Sequence, residues 1–315
     1  MHKLKKRYVF ITIVLASLVS LCLVRWRAWF DMPPEPEWNG PTRDFVFPNM
    51  ADAGFAPDQD LTLLVLGDIH NNLTMADYNK MASSVPHIDG IVQTGDWMQW
   101  GQNYYYQLLI QEWIPSALHD KPVVVCPGNH EYNKGLIKKR SAFWDHAFPH
   151  PDNGPAGVPG ATYYVDIPGI RFIVIDTNPI WRLMHYTRTM TWINRTIQNA
   201  GGRFVVAVMH HPVISAAKGR FNPSIYMFFR RALKKADLVI AGHDHSYMRR
   251  TPFVILNTGG DIKMQRPSLR AEEADTAAVY GVIRTRLSAE APQMSFTVYR
   301  LRDNAVVDSL YVKHD

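Results

Sequence analysis

Two cysteines in 315 residues are too few for a disulfide framework. Cys22 lies in an apolar N-terminal run and Cys126 closes Val123-Val124-Val125-Cys126, so a bond between them would tie an N-terminal segment to the core. Cys126 reads instead as a small buried hydrophobe. A domain this large does not need cross-links, so their scarcity does not exclude an oxidising compartment. The chain also lacks a basic face. Its formal charge is +6, but residues 1–27 hold six Lys and Arg and no acid. Removing those six from 34 leaves 28 basic side chains against 28 acidic ones. Only short pairs such as Arg230-Arg231, Lys234-Lys235 and Arg249-Arg250 remain, which argues against a nucleic-acid-binding surface. Internal repeats and low-complexity tracts are missing too. With 47 % apolar residues, the composition is that of a folded globular protein, neither fibrous nor disordered.

One long apolar run is present. Residues 8–24 are uncharged and mostly apolar, and Lys3, Lys5, Lys6 and Arg7 precede them. A bilayer span takes roughly 20 residues, with about 17 as the lower limit, so this is a short span or the core of a signal peptide. Arg25-Trp26-Arg27 follows in place of a small-residue cleavage site, and Leu21 is too large to precede a lipidated Cys22. The charge before the run exceeds that after it, which keeps the N-terminus in the cytoplasm. Residues 1–27 are therefore expected to be an uncleaved single-pass anchor, with the rest of the chain extracytoplasmic. Cleavage and secretion is the alternative. Residues 28–60, rich in Pro, Asp and Glu, read as a spacer, and 61–315 as the folded domain.

From residue 61, short apolar runs alternate with amphipathic stretches. The expected strands are 61–66, 90–93, 123–126, 171–175, 204–209 and 238–241; the expected helices are 103–118, 189–200 and 224–235. That alternation implies an α/β fold with buried strands. The tail (279–287, 293–301 and 305–312) reads as successive strands, so the sheet arrangement is mixed and ends antiparallel. The Pro- and Gly-dense segment 149–160 is a surface loop.

Metal-ligand residue types recur directly after the strands. Gly67-Asp68-Ile69-His70 follows the first, Thr94-Gly95-Asp96 the second, and Gly128-Asn129-His130-Glu131 the third. His210-His211-Pro212 and Gly242-His243-Asp244-His245 follow two later ones. In an α/β sheet the carboxyl ends of the strands form the ligand crevice, so five such ends can converge. A single metal takes roughly four to six ligands. This set of Asp, His, Asp, Asn, His, His and His suits two ions, and its N/O mixture suits Zn, Mn or Fe. Paired divalent ions polarise a phosphoryl oxygen and lower the pKa of a shared water.

The order D-x-H, G-D, G-N-H-E, H-x-P, G-H-x-H over residues 61 to about 260 resembles the calcineurin-like metallophosphoesterase superfamily. Any one element is weak; five in order at strand ends are specific. The resemblance implies a four-layer αββα sandwich of two mixed β-sheets. It also implies a dinuclear metal-dependent hydrolase of phosphate esters, with metal-bound hydroxide attacking phosphorus. It assigns Asp68, His70 and His245 to one metal, Asn129, His210 and His243 to the other, and Asp96 to the bridge. His130 is similar to the family histidine that contacts the phosphate and protonates the leaving oxygen. In His210-His211-Pro212 the pattern selects the first histidine, leaving His211 as a substrate contact, alongside Asn129 and His130. One departure is Gln99, where phosphoprotein phosphatases carry a second Asp that orients the histidine and purple acid phosphatases carry Tyr. Without that Tyr no iron-tyrosinate colour is expected, and no orienting partner for His130 is evident.

Several residues read as structural. Glu131 is expected to cap or brace the turn. Histidines 87, 119, 146, 150 and 185 lack the pattern and read as surface or core residues. Arg182, His185 and Arg188 form a solvated face or an anion contact. Trp97 and Trp100 are either core or pocket lining. Asn72 and Asn194 sit in glycosylation triplets, the former too close to the metal residues to suit a glycan.

Overall fold

The computed structural model describes residues 46–70, 73–98, 116–132, 140–178, 183–215, 222–259, 273–275 and 277–313. The expected anchor, most of the helix at 103–118, Gln99, Trp100 and Asn72 lie outside the described residues. No helix among the described residues is long and apolar enough to cross a membrane.

Thirteen strands, numbered in chain order, form two mixed sheets among the described residues. In the first, β1 (Thr62–Leu66), β2 (Gly90–Gln93) and β3 (Val123–Val125) are parallel. An antiparallel meander of β11 (Val279–Arg286), β12 (Gln293–Arg300) and β13 (Val306–Lys313) joins at β1, giving the order β13-β12-β11-β1-β2-β3. In the second, β5 (Ile170–Ile175), β6 (Phe204–Met209), β7 (Leu238–Ala241) and β9 (Phe253–Ile255) are parallel. The hairpin strand β4 (Tyr163–Ile167) borders β5, and β8 (Tyr247–Arg250) and β10 (Glu273–Asp275) close the other edge.

Strand residues alternate between faces, and in β5 to β7 both faces are apolar because both are covered. Phe172, Val174, Val206, Val208, Leu238 and Ile240 enter the core shared with the first sheet. Ile173, Ile175, Val205, Ala207, Met209 and Val239 face the other way, into a cluster with Tyr186, Ile193, Ile225 and Phe229. Those four belong to α4 (Leu183–Gln198) and α5 (Pro223–Leu233), the outer helical layer. On the far side, α1 (Met75–Ser84) adds Tyr78 and Met81 to the main core. Two short α-helices, α2 (Ser116–His119) and α3 (Ala142–Ala147), complete the α-helices among the described residues. Helix, sheet, sheet, helix is the expected sandwich.

Helix starts follow local chemistry. Thr74 and Asp77 form a reciprocal capping box at α1, and the Asn222 side chain accepts from Ser224 and Ile225 N–H ahead of Pro223 at α5. Two expectations need correcting. The spacer does not extend to residue 60: Phe47 and Met50 are buried, Phe47 N–H donates to Ala147 O, and Val123 N–H donates to Pro48 O. Phe47 stacks on Phe148 at 5.0 Å between centroids, so this apolar residue in a polar stretch anchors the segment. The helix expected over 189–200 spans Leu183–Gln198 among the described residues, which places His185 on a buried face. Cys126 is buried and free, as a small hydrophobe should be.

Candidate metal centre

The carboxyl ends of β1, β2, β3, β6 and β7 carry all seven candidate ligands, and the fold brings them to one rim. The backbone there is strained in a consistent way. Asp68, His70, Asp96, His243 and His245 all have positive φ, between 41° and 72°; Asn304 is the other such non-Gly residue among those described. Each left-handed non-glycine costs of order 1–3 kcal/mol and persists where surrounding contacts over-determine it. Turning immediately after the strand aims these side chains inward across the rim. Close loop approach also matters: a Cβ on Gly128 would collide with the Asp96 carboxylate.

Asp96 stands at the centre. Its Oδ2 lies 3.2 Å from His210 Nε2, 3.4 Å from His70 Nε2 and 4.0 Å from His130 Nε2, while Oδ1 accepts the His130 N–H at 2.9 Å. On one side, Asp68 Oδ1 is 3.7 Å from His70 Nε2 and 3.8 Å from His245 Nε2. Both Asp68 oxygens accept the His243 N–H, at 2.8 and 2.7 Å. On the other side, Asn129 Oδ1 is 3.0 Å from both His210 Nε2 and His243 Nδ1. Neighbouring ligands at right angles on an ion with bonds of about 2.1 Å stand about 3 Å apart, so this spacing matches a coordination edge. Asp68, His70 and His245 thus gather as one group, and Asp68, Asp96 and His210 as another.

His210 tests whether a cation fits. Its Nδ1 lies 3.0 Å from the Thr94 carbonyl oxygen, so that nitrogen carries a hydrogen. A neutral ring would then turn a lone pair from Nε2 onto Asn129 Oδ1 and Asp96 Oδ2. Only a second proton or a cation between the groups relieves that conflict. His70 agrees: both ring nitrogens are buried without a hydrogen-bond partner. Protons can fill the same role, and the charges around these rings favour them. Burial lowers the pKa of His210, but Asp96 outweighs it and raises the value to about 9. His70 is likewise raised, with Asp68 and Asp96 overcoming burial. Burial pushes Asp96 up, but His210, His130 and His70 hold it well below the usual carboxylate range. Divalent ions would replace those protons, so the residues present fit the group.

Glu131 is structural, as expected, and its reach is larger than capping. Fully buried, its Oε2 accepts N–H from Gly128 (2.6 Å) and Asp96 (2.8 Å), and its Oε1 from Trp97 (2.9 Å) and Met98 (3.4 Å). It rivets the Asp96 loop to the Asn129 loop. Burial and the Asp96 charge push its carboxyl up to about 7 against the pull of these N–H groups. Gln93, passed over in the sequence, does similar work: its amide both donates to and accepts from the Gly95 backbone.

The second-layer expectations resolve as follows. His211 stands beside His210 and His243, with Nδ1 2.7 Å from Thr177 Oγ1. The His130 ring meets His70 edge-on at 4.6 Å. Trp97 is core, packed against Phe47 and Phe148, and does not line the rim. His185 is buried, and Arg188 turns to the Ala156 carbonyl, so they do not form a joint anion contact; Arg182 lies outside the described residues.

Comparison with known proteins agrees with this geometry. A family model described as calcineurin-like phosphoesterase matches residues 61–247, more than half of the chain. No curated protein sequence matches. Among solved structures, the chain is similar to purple acid phosphatase PPD1 of yellow lupin, with a TM-score of 0.63 at 14 % identity, covering 82 % of this chain and 55 % of that one. The chain thus spans about half the length of the lupin enzyme. It is also similar to GAP50, described as the anchor in the inner membrane complex of Plasmodium, with a TM-score of 0.56 at 13 % identity, covering 81 % of this chain and 89 % of that one. At such identities these likenesses show the fold, and the family match together with the rim of five strand ends carries the assignment. The chain belongs to the calcineurin-like phosphoesterase family.

Proposed function

We propose that this chain hydrolyses phosphate esters with two divalent metal ions, Mn, Fe or Zn. Asp68, His70 and His245 hold one, Asn129, His210 and His243 the other, and Asp96 lies between. The observation that carries the reading is the convergence of all seven donors on one rim, five of them on left-handed backbone. Divalent ions there would supply Lewis acidity and activate water. The chain's own residues do the rest. His130, edge-on to His70 and partly open to solvent, delivers a proton from Nε2 to the leaving oxygen. Asn129, one of the second group of donors, and His211 beside that group orient the phosphoryl oxygens.

Hydrolysis of aryl phosphate monoesters and diesters by the full chain, stripped with chelator and reloaded with each metal, tests this. Metal-dependent turnover is expected. Faster cleavage of diesters would favour a phosphodiesterase acting on nucleotides or lipid headgroups. A non-catalytic binding module with the same fold predicts no turnover with any metal; the complete donor set argues against it. We further propose that residues 8–24 anchor the chain in a membrane with the domain extracytoplasmic, supported by their apolar run and basic flank. Extraction of the chain from membranes by alkaline carbonate would refute it, and intact-mass measurement would reveal cleavage and secretion instead.

A further inference from the structure

A sixth strand end borders the site and carries no expected ligand. β5 ends in Asp176-Thr177-Asn178, and all three residues are buried. Asp176 Oδ2 accepts from Tyr132 Oη (2.5 Å), Ala161 N–H (3.0 Å) and Arg140 Nη1 (3.2 Å). Its Oδ1 accepts from the Asn178 backbone N–H and from Asn178 Nδ2, both at 3.1 Å. Asn178 Nδ2 also reaches the carbonyl oxygens of Pro127 (3.0 Å) and Gly128 (3.2 Å). The triplet therefore grips the 127–132 loop at both ends: Asn178 holds Pro127 and Gly128, and Asp176 holds Tyr132. Asn129 and His130 lie between the grips. Thr177 Oγ1, in the same turn, meets His211 Nδ1 at 2.7 Å.

The grip is costly by itself. Asp176 is fully buried, and Asn178 Oδ1 is buried without a hydrogen-bond partner. A turn needed only to end a strand would not require this. The orientation of the Asn178 amide follows from its three oxygen neighbours, which accept only from an NH2.

We propose that the Asp176-Thr177-Asn178 turn positions the metal-binding loop, with Asp176 and Asn178 as positioning residues for the ion held by Asn129, His210 and His243. This rests on the two-ion reading above. Groups behind metal ligands set ligand orientation, and their loss costs about 10–100-fold in metal affinity. The Asp68, His70 and His245 group has no contact with this turn in the bonds described, so its ion should be spared.

The test is calorimetric titration of Mn²⁺ into the metal-free full chain in detergent, for the wild type, Asp176→Asn and Asn178→Ala. In both variants one ion should bind about 10–100-fold more weakly, while the other stays within about threefold. Asn178→Ala keeps the Asp176 contacts to Tyr132, Arg140 and Ala161, so it decides the matter if Asp176→Asn does not fold. A two-ion wild type, with an Asn178→Ala variant that holds both ions normally or loses both equally, overturns the proposal. A wild type that binds one ion overturns the two-ion reading instead, and positioning then requires that single ion to weaken in Asn178→Ala.

Discussion

Removing one carboxylate oxygen from Glu131 should loosen two loops at once. Glu131→Gln keeps the shape but sets an NH2 group against one pair of backbone N–H donors: Asp96 with Gly128, or Trp97 with Met98. Two buried donors then lack an acceptor. At about 1–3 kcal/mol for each unsatisfied group, the cost is roughly 2–6 kcal/mol. For a domain of this size that corresponds to a fall in Tm of at least about 4 °C. The assay is thermal unfolding followed by circular dichroism, with chelator present, at a pH above the Glu131 pKa of about 7 so that the wild-type carboxylate is ionised. Because the Asp96 backbone is one of the riveted groups, the variant should also bind metal about 10–100-fold more weakly. A Tm within about 1 °C of wild type would refute the rivet and return Glu131 to a simple turn residue.

Metal affinity should rise with pH, because His210 must lose the proton that keeps it ionised up to about 9 in the ion-free site. Between about pH 6 and about pH 8 the apparent affinity should climb about tenfold per unit for that proton, read by calorimetry in two buffers of different ionisation heat. The linkage sign for the metal-free chain is opposite. A histidine raised from 6.5 to about 9 stabilises fully below the lower value and loses that contribution as pH rises to the upper one. Tm in chelator should therefore fall across that window, and a flat profile would contradict the His210–Asp96 pairing. In the outer layer, Phe229→Ala empties a fully buried ring site between α5 and the second sheet. It should cost about 3–5 kcal/mol in denaturant titrations while leaving metal stoichiometry unchanged.

Much of the site was legible because metal chemistry demands particular residue types at particular backbone positions. Asp68, His70, Asp96, Asn129, His210, His243 and His245 could be named as candidates because each follows a short apolar run that ends abruptly. Their supports were harder to see. Gln93 acts through the backbone of Gly95 and Asp176 through Tyr132 and Arg140, tens of positions away, and no local periodicity marks such partners. Nothing in Asp176-Thr177-Asn178 distinguishes a brace from an ordinary turn. The fold shows the same divide. The buried parallel strands β1 to β3 and β5 to β7 announced themselves, whereas β8 (Tyr-Met-Arg-Arg) and the three-residue β9 and β10 are set by pairing. Phe47 was hidden for another reason: it lies in a short apolar run flanked by polar and proline residues and joins the core by tertiary contact, which composition does not register.

Metal content per chain, measured by elemental analysis beside aryl phosphate hydrolysis, tests the central claim most directly. For the reloaded wild type the account predicts two divalent ions and metal-dependent turnover. Asp96→Asn and His243→Ala should each lose metal and at least about a hundredfold in rate, no less than is lost when groups behind a ligand are removed. Wild-type metal content and turnover in both variants would contradict it.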